Sequence, residues 1–527
     1  MPVEVAVTAL VVATVALTGL ANRLSVPYPI VLVLGGAALG FVPGLSDVHL
    51  EPDLVLVVFL PALLYNESIF ANLADFRRNR RWLALNTVPL VLLTMGAVAV
   101  VAHALVPGLP WAAAFVLGAI VSPTDAVAPG TVMRRLGVPR GLISVVQGEG
   151  LFNDATALTA YRVAVTAAVA GTFSLAGAGL RFVLGALGGI AIGLAVGWVA
   201  ARIRARIKDP QLSVVVSLLT GYVAYVPADA VGASGVLATV AAGLYMGVRA
   251  PATLPANTRL QGGVVWNLLD LVLNAVLFTL VGLELHNALQ ALSGYRPAHL
   301  AAWALSVAGV AVLVRLVWFF TSPYLVWLFD RASAPQDHRT DAKGRLVVAW
   351  SGMRGAVSLA VALAVPATTG SGQPFPGRDL IVFLTFAVIL ITLVGQGMTL
   401  PALIKRLRVS TGDDEAREEQ DARVATTRAA LKVIDALADE DWTRTESVDR
   451  MRETYRFRQA RLEATTDQTD DGRYEKRSHA HQQLVKHVLG SQREVLLQRR
   501  AEGALSNDVM NKLLRELDLE ESQLEQL

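Results

Sequence analysis

Apolar runs close to the ~20 residues a helix needs to cross a bilayer recur, with short polar breaks, from the start of the chain to about residue 403. Thirteen are counted, at 3–21, 27–43, 53–72, 82–105, 110–133, 142–170, 175–201, 211–227, 230–248, 264–285, 298–329, 345–367 and 379–403. The breaks between them alternate in charge. One set carries Arg23, then Arg77, Arg78, Arg80 and Arg81, then Arg134, Arg135 and Arg140, then Arg202, Arg204, Arg206 and Lys208, then Arg249 and Arg259, then Arg331, Arg339, Lys343 and Arg345, and last Lys405, Arg406 and Arg408; the intervening set carries only Arg296 and Arg378. Cytoplasmic loops are the ones enriched in Lys and Arg, so the alternation predicts thirteen spans with the N-terminus outside and the C-terminus in the cytoplasm. A span more or fewer would reverse it. The expected fold class is an all-α polytopic membrane protein, and the first run, with Glu4 and no basic residue before it, reads as a retained helix rather than a signal peptide.

Composition agrees with the pattern. The 527 residues are 54% hydrophobic and 17% charged, against about 25% charged in an average soluble domain. The net charge of +3 conceals a division, because residues 1–410 hold 27 Lys and Arg against 17 Asp and Glu, and residues 411–527 hold 19 against 26. A membrane domain over 1–408 and a charged, helical, cytoplasmic tail over 409–527 are expected, the tail carrying Leu484, Val488, Val495, Leu505, Val509 and Leu513 at amphipathic spacing. Basic residues confined to short loops make no continuous face for nucleic acid. The absence of cysteine excludes disulfides, thiolate metal sites and a cysteine nucleophile.

An ionisable side chain deep in a bilayer costs at least ~2.5–3.5 kcal/mol on insertion scales. The candidates inside the spans are Glu67, Asp125, Glu149, Asp154, Arg162, Asp270, Glu284, Arg315 and Arg354. Glu67, Arg162, Glu284 and Arg315 read as structural, at helix ends or snorkelling towards a surface. Asp125 lies in Ser122-Pro123-Thr124-Asp125-Ala126-Val127-Ala128-Pro129-Gly130. There Pro123 and Pro129 leave the carbonyls of Ala119 and Asp125 without their helical donors. Irregular backbone at membrane depth is tolerated where it is buried or lines a cavity, and broken helices form ion sites in transporters.

In Gly148-Glu149-Gly150-Leu151-Phe152-Asn153-Asp154, Glu149 and Asn153 share a helical face, while Gly150 stands one turn before Asp154 and leaves its approach open. Carboxylate, amide and freed carbonyls suit a hard monovalent cation. Arg354, in Gly352-Met353-Arg354-Gly355, asks for an acidic partner, and the flanking glycines permit unwinding or close approach. Gly232-Ala233-Ser234-Gly235 resembles a serine-protease pattern, but the histidines lie in loops, near helix ends or in the tail, so no base is at hand.

Ser-Pro-Thr-Asp-Ala-Val-Ala at 122–128, Gly-Glu-Gly-Leu-Phe-Asn-Asp-Ala at 148–155 and Gly-Met-Arg-Gly-Ala-Val-Ser-Leu-Ala at 352–360 resemble the three signatures of the sodium/proton exchanger family, on the branch of NhaP and NHE proteins. Phe59 to Tyr65 and Gly395-Gln396-Gly397 fit as well. The resemblance covers residues 1 to about 408. It implies thirteen spans with inverted repeats, a homodimer in membrane lipid, and a six-helix core moving against a dimerisation domain. It also implies two broken helices crossing near the ion, and no cofactor. Asp154 would bind the cation or proton, with Asp125, Thr124 and Asn153 lining or supporting the site, Na+ resting on Asp154 and Asp125, and Glu149 and Arg354 forming the internal ion pair. The family commonly has Ser at Gly150 and an acid at Asn66, with Glu67 one position later here. The Asn153-Asp154 pair resembles electroneutral members that exchange one cation, most often Na+ but also Li+ or K+, for one proton. A channel or uniporter using the same pocket, or a sensor signalling through the tail, are the competing readings.

Overall fold

The computed structural model describes residues 3–24, 26–42, 55–71, 73, 76, 80–170, 175–292, 294–329, 342–409, 413–438, 440–467, 473–502 and 507–525. The expected loop around Asp47 to Asp53, along with Arg77, Arg78, Arg331, Arg339 and Leu505, lies outside them. The chain divides into two units, Met1–Thr411 and Gly412–Leu527.

The first unit is built of helices: α1 (Val3–Leu24), α2 (Tyr28–Leu39), a π-helical turn Val55–Phe59 running into α3 (Leu60–Ile69), α4 (Arg80–Thr87), α5 (Pro89–Leu105), α6 (Trp111–Val121) and α7 (Val127–Arg135). Then follow α8 (Arg140–Ala170), α9 (Leu175–Arg206), α10 (Pro210–Ala230), α11 (Gly235–Thr253), α12 (Ala256–Ala291) and α13 (Pro297–Phe329). After them come α14 (Ala342–Trp350), α15 (Ala356–Leu363) and α16 (Arg378–Leu390), which passes through a second π-turn, Ile391–Gln396, into α17 (Gly397–Leu407). Among the described residues seven helical stretches are long and apolar enough to cross a membrane, for example Leu83–Leu105, Pro297–Tyr324 and Arg378–Leu407. The others are short or interrupted. The stretches Tyr28–Leu39 and Trp111–Val121 are apolar but brief, and α8 carries Glu149, Asp154 and Arg162 along its 31 residues.

Packing sorts the helices into neighbourhoods. One group joins α9, α10 and α11 to α3; another joins α5, α6, α8 and α13; α12 lies against α2. Helices in lipid gain little from burying leucine against leucine and associate where small residues let backbones touch. The α9–α11 contact shows this: Gly189, Gly193 and Gly197 lie against the backbone of Ser234, Ala238 and Ala242, and a Cβ at Gly197 would already stand 3.1 Å from Ala242. Ser234 is spent as the N-cap of α11, its hydroxyl accepting from the Leu237 N–H at 3.3 Å, which disposes of the protease resemblance.

Two helices are interrupted at mid-sequence, and they decide the site. α6 ends at Val121 and α7 starts at Val127; α14 ends at Trp350 and α15 starts at Ala356. Pro123 has no N–H for the Ala119 carbonyl, and the Ser122 hydroxyl takes that carbonyl instead at 3.0 Å. Ser351 does the same for Val348 at 2.7 Å. The break is shorter than the two prolines suggest. Pro129 falls in the first turn of α7, where a missing N–H costs nothing, and the chain is helical again from Val127.

The second unit holds α18 (Asp413–Ala436), α19 (Thr445–Asp467), α20 (Arg473–Ala501) and α21 (Asn507–Glu525). Arg428–Glu463 and Arg452–Asp435, both at 2.8 Å, join α18 to α19. The amphipathic stripe expected for this unit is corrected: Leu484, Val488, Val495 and Val509 are exposed, whereas Leu489 and Met510 are buried. Leu484, Val488 and Val495 keep a helical register along α20, but the face they form is exposed, and Val509 lies on the separate helix α21.

Candidate functional site

The extended segments at the two breaks cross. The Asp125 N–H donates to the Met353 carbonyl at 2.8 Å, so each interrupted helix supplies backbone hydrogen bonding that the other lacks. Their ends carry opposite partial charges, positive at the starts of α7 and α15 and negative at the ends of α6 and α14. Asp125 answers the first: its carboxylate accepts from the N–H groups of Val127 at 3.1 Å and Ala128 at 3.4 Å. Arg354 answers the second. Its Nε donates to the Val121 carbonyl at 3.0 Å, its Nη1 to the Gly352 carbonyl, and its own N–H to the Thr392 hydroxyl at 3.2 Å, which the π-turn at 391–396 presents.

The expected Glu149–Arg354 pair is therefore corrected. Glu149 is fully buried and its carboxylate is held by Arg315, with Nη1 on Oε1 and Nη2 on Oε2 at 3.0 Å. Arg315 further donates to the carbonyls of Ala349 and Val348, each at 3.0 Å, and stacks over Phe319 at 4.7 Å. Freed carbonyls at a helix end are strong acceptors for a guanidinium, and they, not an acid, satisfy Arg354. The signal for Arg315 was its depth: it sits near the centre of the 33-residue α13, too far from either end to snorkel. The glycines around Arg354 serve its neighbours. A Cβ at Gly352 would collide with the Arg315 side chain, and one at Gly355 would come within 2.6 Å of the Asp125 Cβ.

Asn153 and Thr124 belong to the Glu149 network. The Asn153 amide donates to Glu149 Oε1 at 3.2 Å and to the Thr124 hydroxyl at 3.4 Å, and that hydroxyl reaches Glu149 Oε1 at 3.4 Å. Asp154, on the next position of α8, faces elsewhere. It lines a cavity of about 30 Å³ with Glu67, Thr124, Asp125, Gly150 and Asn274, walled by Leu60, Leu63, Leu64, Leu277, Phe278 and Val357. Neither Asp154 nor Glu67 has a hydrogen-bonding or ionic partner among the described residues. Glu67, read from sequence as a helix-end residue, is thus brought beside Asp125 and Asp154. Gly150 does less to open the site than its position suggests. A side chain there would meet Thr124 O and Ala126 Cβ at 3.2 Å, so glycine lets the broken segment lie against α8. Asn66 donates to Asp270 at 3.0 Å, and Asn274 donates to the same oxygen at 3.1 Å.

The cavity has room for a water-sized ion and offers carboxylate and carbonyl oxygen, the ligands of a hard cation. Residues 9–406 match the family described as sodium/hydrogen exchanger, transmembrane.

The chain belongs to the sodium/hydrogen exchanger family.

Among relatives of this exchanger, a Mycobacterium tuberculosis protein described as an uncharacterised Na+/H+ exchanger is 36% identical over 99% of this chain and 96% of its own. A Bacillus subtilis sodium, potassium, lithium and rubidium/H+ antiporter is 32% identical over 74% of this chain and 60% of its own. Among solved structures, the sodium proton antiporter MjNhaP1 of Methanocaldococcus jannaschii superposes with a TM-score of 0.61 over 77% of this exchanger and 99% of that chain, at 20% identity. That likeness is one of fold.

Proposed function

We propose that this exchanger is a secondary antiporter that trades a monovalent cation, Na+ foremost with Li+ and K+ as alternatives, for H+ across the cell membrane, one for one and by alternating access. The observation that carries the reading is Asp154: a carboxylate without a hydrogen-bonding or ionic partner among the described residues, in a small cavity where two interrupted helices cross. Exchange needs one group that takes either a proton or a cation, and a protein that reorients only when that group is occupied. An empty anion is costly to move through apolar surroundings, and that cost couples the two fluxes. Asp125 accepts two backbone N–H groups at the start of α7 and in this reading contributes oxygen rather than exchange; Thr124 adds a second ligand and Glu67 a further acid. Asn153, Glu149, Arg315 and Arg354 frame the site. The leucines, Phe278 and Val357 around the cavity favour alternating access over a continuous pore.

The reading includes thirteen crossings with the N-terminus outside and the tail in the cytoplasm, supported by the alternation of loop charge, and a homodimer surrounded by lipid. Purified protein in liposomes with an internal pH dye, challenged with Na+, Li+ and K+, tests it. Wild type should move protons against each accepted cation. Asp154→Asn should insert and elute normally but lose coupled exchange. Sustained exchange by Asp154→Asn removes this residue from the mechanism, and a wild type that moves no protons removes the antiport.

A further inference from the structure

The second unit carries an apolar face that nothing in a single chain covers. Its helices α20 and α21 run antiparallel as a hairpin: Arg493 of α20 meets Asp518 and Glu521 of α21 at 2.5 and 2.6 Å, and Arg500, two turns further along α20, reaches the Met510 sulfur at 3.7 Å. The contact between them is thin. Among the described residues of the two helices only Leu489 and Met510 are buried. A further row stands beside the packed one on each helix. Leu484, Val488, Ser491 and Val495 follow at steps of four, three and four on α20, so they share one face, about a third of a turn from Leu489. Val509, Leu513, Glu516 and Glu520 follow with the same steps on α21. Leu484 is 63% exposed, Val495 53% and Val509 47%. The two rows meet at a groove of about 370 Å³, whose lining includes Val495, Leu496, Leu513 and Leu517 with Ser491 and Glu516.

A pair of helices with apolar rows left on one side needs another layer to bury them, and the charges of the pair select that layer. α20 holds seven Lys and Arg against two Asp and Glu, whereas α21 holds two against six. We infer that the face is covered by the same hairpin of a second copy of this chain, so that two tails close a four-helix bundle. A two-fold axis parallel to the helices lays the basic α20 of each copy over the acidic α21 of the other, so one surface supplies both halves of the contact. Each helix then runs antiparallel to both of its neighbours, as in an up-down bundle, and each neighbour carries the opposite net charge. A membrane surface suits α20 alone. Anionic headgroups that attract its Lys and Arg repel Glu516 and Glu520, which share the apolar row of α21. The inference goes beyond the antiport reading and does not use it, since the hairpin lies outside the residues, 9–406, that match the exchanger family.

The chain has no cysteine, so one can be introduced alone. Full-length Ser491→Cys, on the groove, and Ser447→Cys, exposed on α19, are purified in detergent and treated with a flexible bismaleimide, and the cross-linked dimer is read on a denaturing gel. Ser491→Cys should give dimer and Ser447→Cys should not. Val495→Asp with Leu513→Asp, added to Ser491→Cys, carries carboxylates from both copies into the apolar contact and should cut the dimer at least about tenfold, with helical content by circular dichroism unchanged. Where that pair lowers the helical content, Glu516→Lys with Glu520→Lys takes its place; both positions are exposed, lysine keeps the helix, and like charge facing α20 should cut the dimer as well. Absence of dimer at Ser491→Cys, equal dimer at both cysteines, or a yield that the substitutions leave unchanged overturns the shared bundle. A fluorophore on Ser491→Cys that spin-labelled lipid quenches in nanodiscs overturns it too, by giving the face to the membrane.

Discussion

The buried Glu149 carboxylate meets its charge in Arg315, 166 residues away in sequence. Removing one partner of a buried pair leaves the other uncompensated, at about 3–5 kcal/mol, so Arg315→Met should lower the unfolding temperature in detergent, and Glu149→Leu added to it should recover most of the loss. Arg354→Ala should instead cost about 1–3 kcal/mol through the carbonyls it abandons, and its loss should add to that of Glu149→Leu. A large coupling between Arg354 and Glu149, with none between Arg315 and Glu149, would reverse the assignment. The same network changes what a charge test at Asn153 reports. Asn153→Asp replaces the donor to Glu149 Oε1 at 3.2 Å by an anion, so thermal stability should fall before any effect on stoichiometry is visible; a variant as stable as wild type would show that this amide is not needed there.

At the scale of the helix, the sequence was informative wherever a local rule applied. Pro123 and the flanking Ser122 locate the first break, and Gly352 and Gly355 locate the second, because proline and glycine act on their own backbone. The breaks' partners were not legible. α13 is apolar on every side around its single arginine, so no amphipathic pattern says which way Arg315 points, and spacing alone carries no depth that would separate Glu67 from a helix end. Short helices such as Tyr28–Leu39 fall below the length that marks a span by composition, while α8 carries Glu149, Asp154 and Arg162 along its length. The glycine ladder of α9 is a rule of packing rather than of periodicity. Gly193→Val would drive a side chain into the Ala238 carbonyl, backbone that has nowhere to move, and overpacking of this kind costs about 1–3 kcal/mol or more. The variant should elute as aggregate or unfold at lower temperature, whereas Gly179→Val, where an added Cβ meets nothing within 4 Å, should behave as wild type. Equal behaviour of the two would remove close α9–α11 contact as a source of stability.

For the whole molecule, loop charge and ion-site charge make separate demands. The loop alternation requires a reporter fused after Arg80 to read cytoplasmic and one placed near Gly372 to read external; finding both on one side would break the thirteen-span count. The ion site requires a particular electrical behaviour. Asp125, at the cavity, accepts from the start of α7, and Asp270, bonded to the cavity-lining Asn274, accepts from two amides, whereas Asp154 has no such donor among the described residues. If Asp154 alone alternates between proton and cation, each half-cycle carries the same charge and the membrane potential does no net work on the cycle. Potassium–valinomycin potentials imposed on liposomes loaded with a pH dye should then leave the Na+-driven proton flux unaltered in either polarity. Glu67 is the residue that would spoil this, since it too lacks a partner among the described residues. If it released a second proton for each cation, the flux would follow the potential, and Glu67→Gln would restore indifference to voltage. A voltage-dependent flux that Glu67→Gln leaves voltage-dependent would defeat one-for-one exchange at this site altogether.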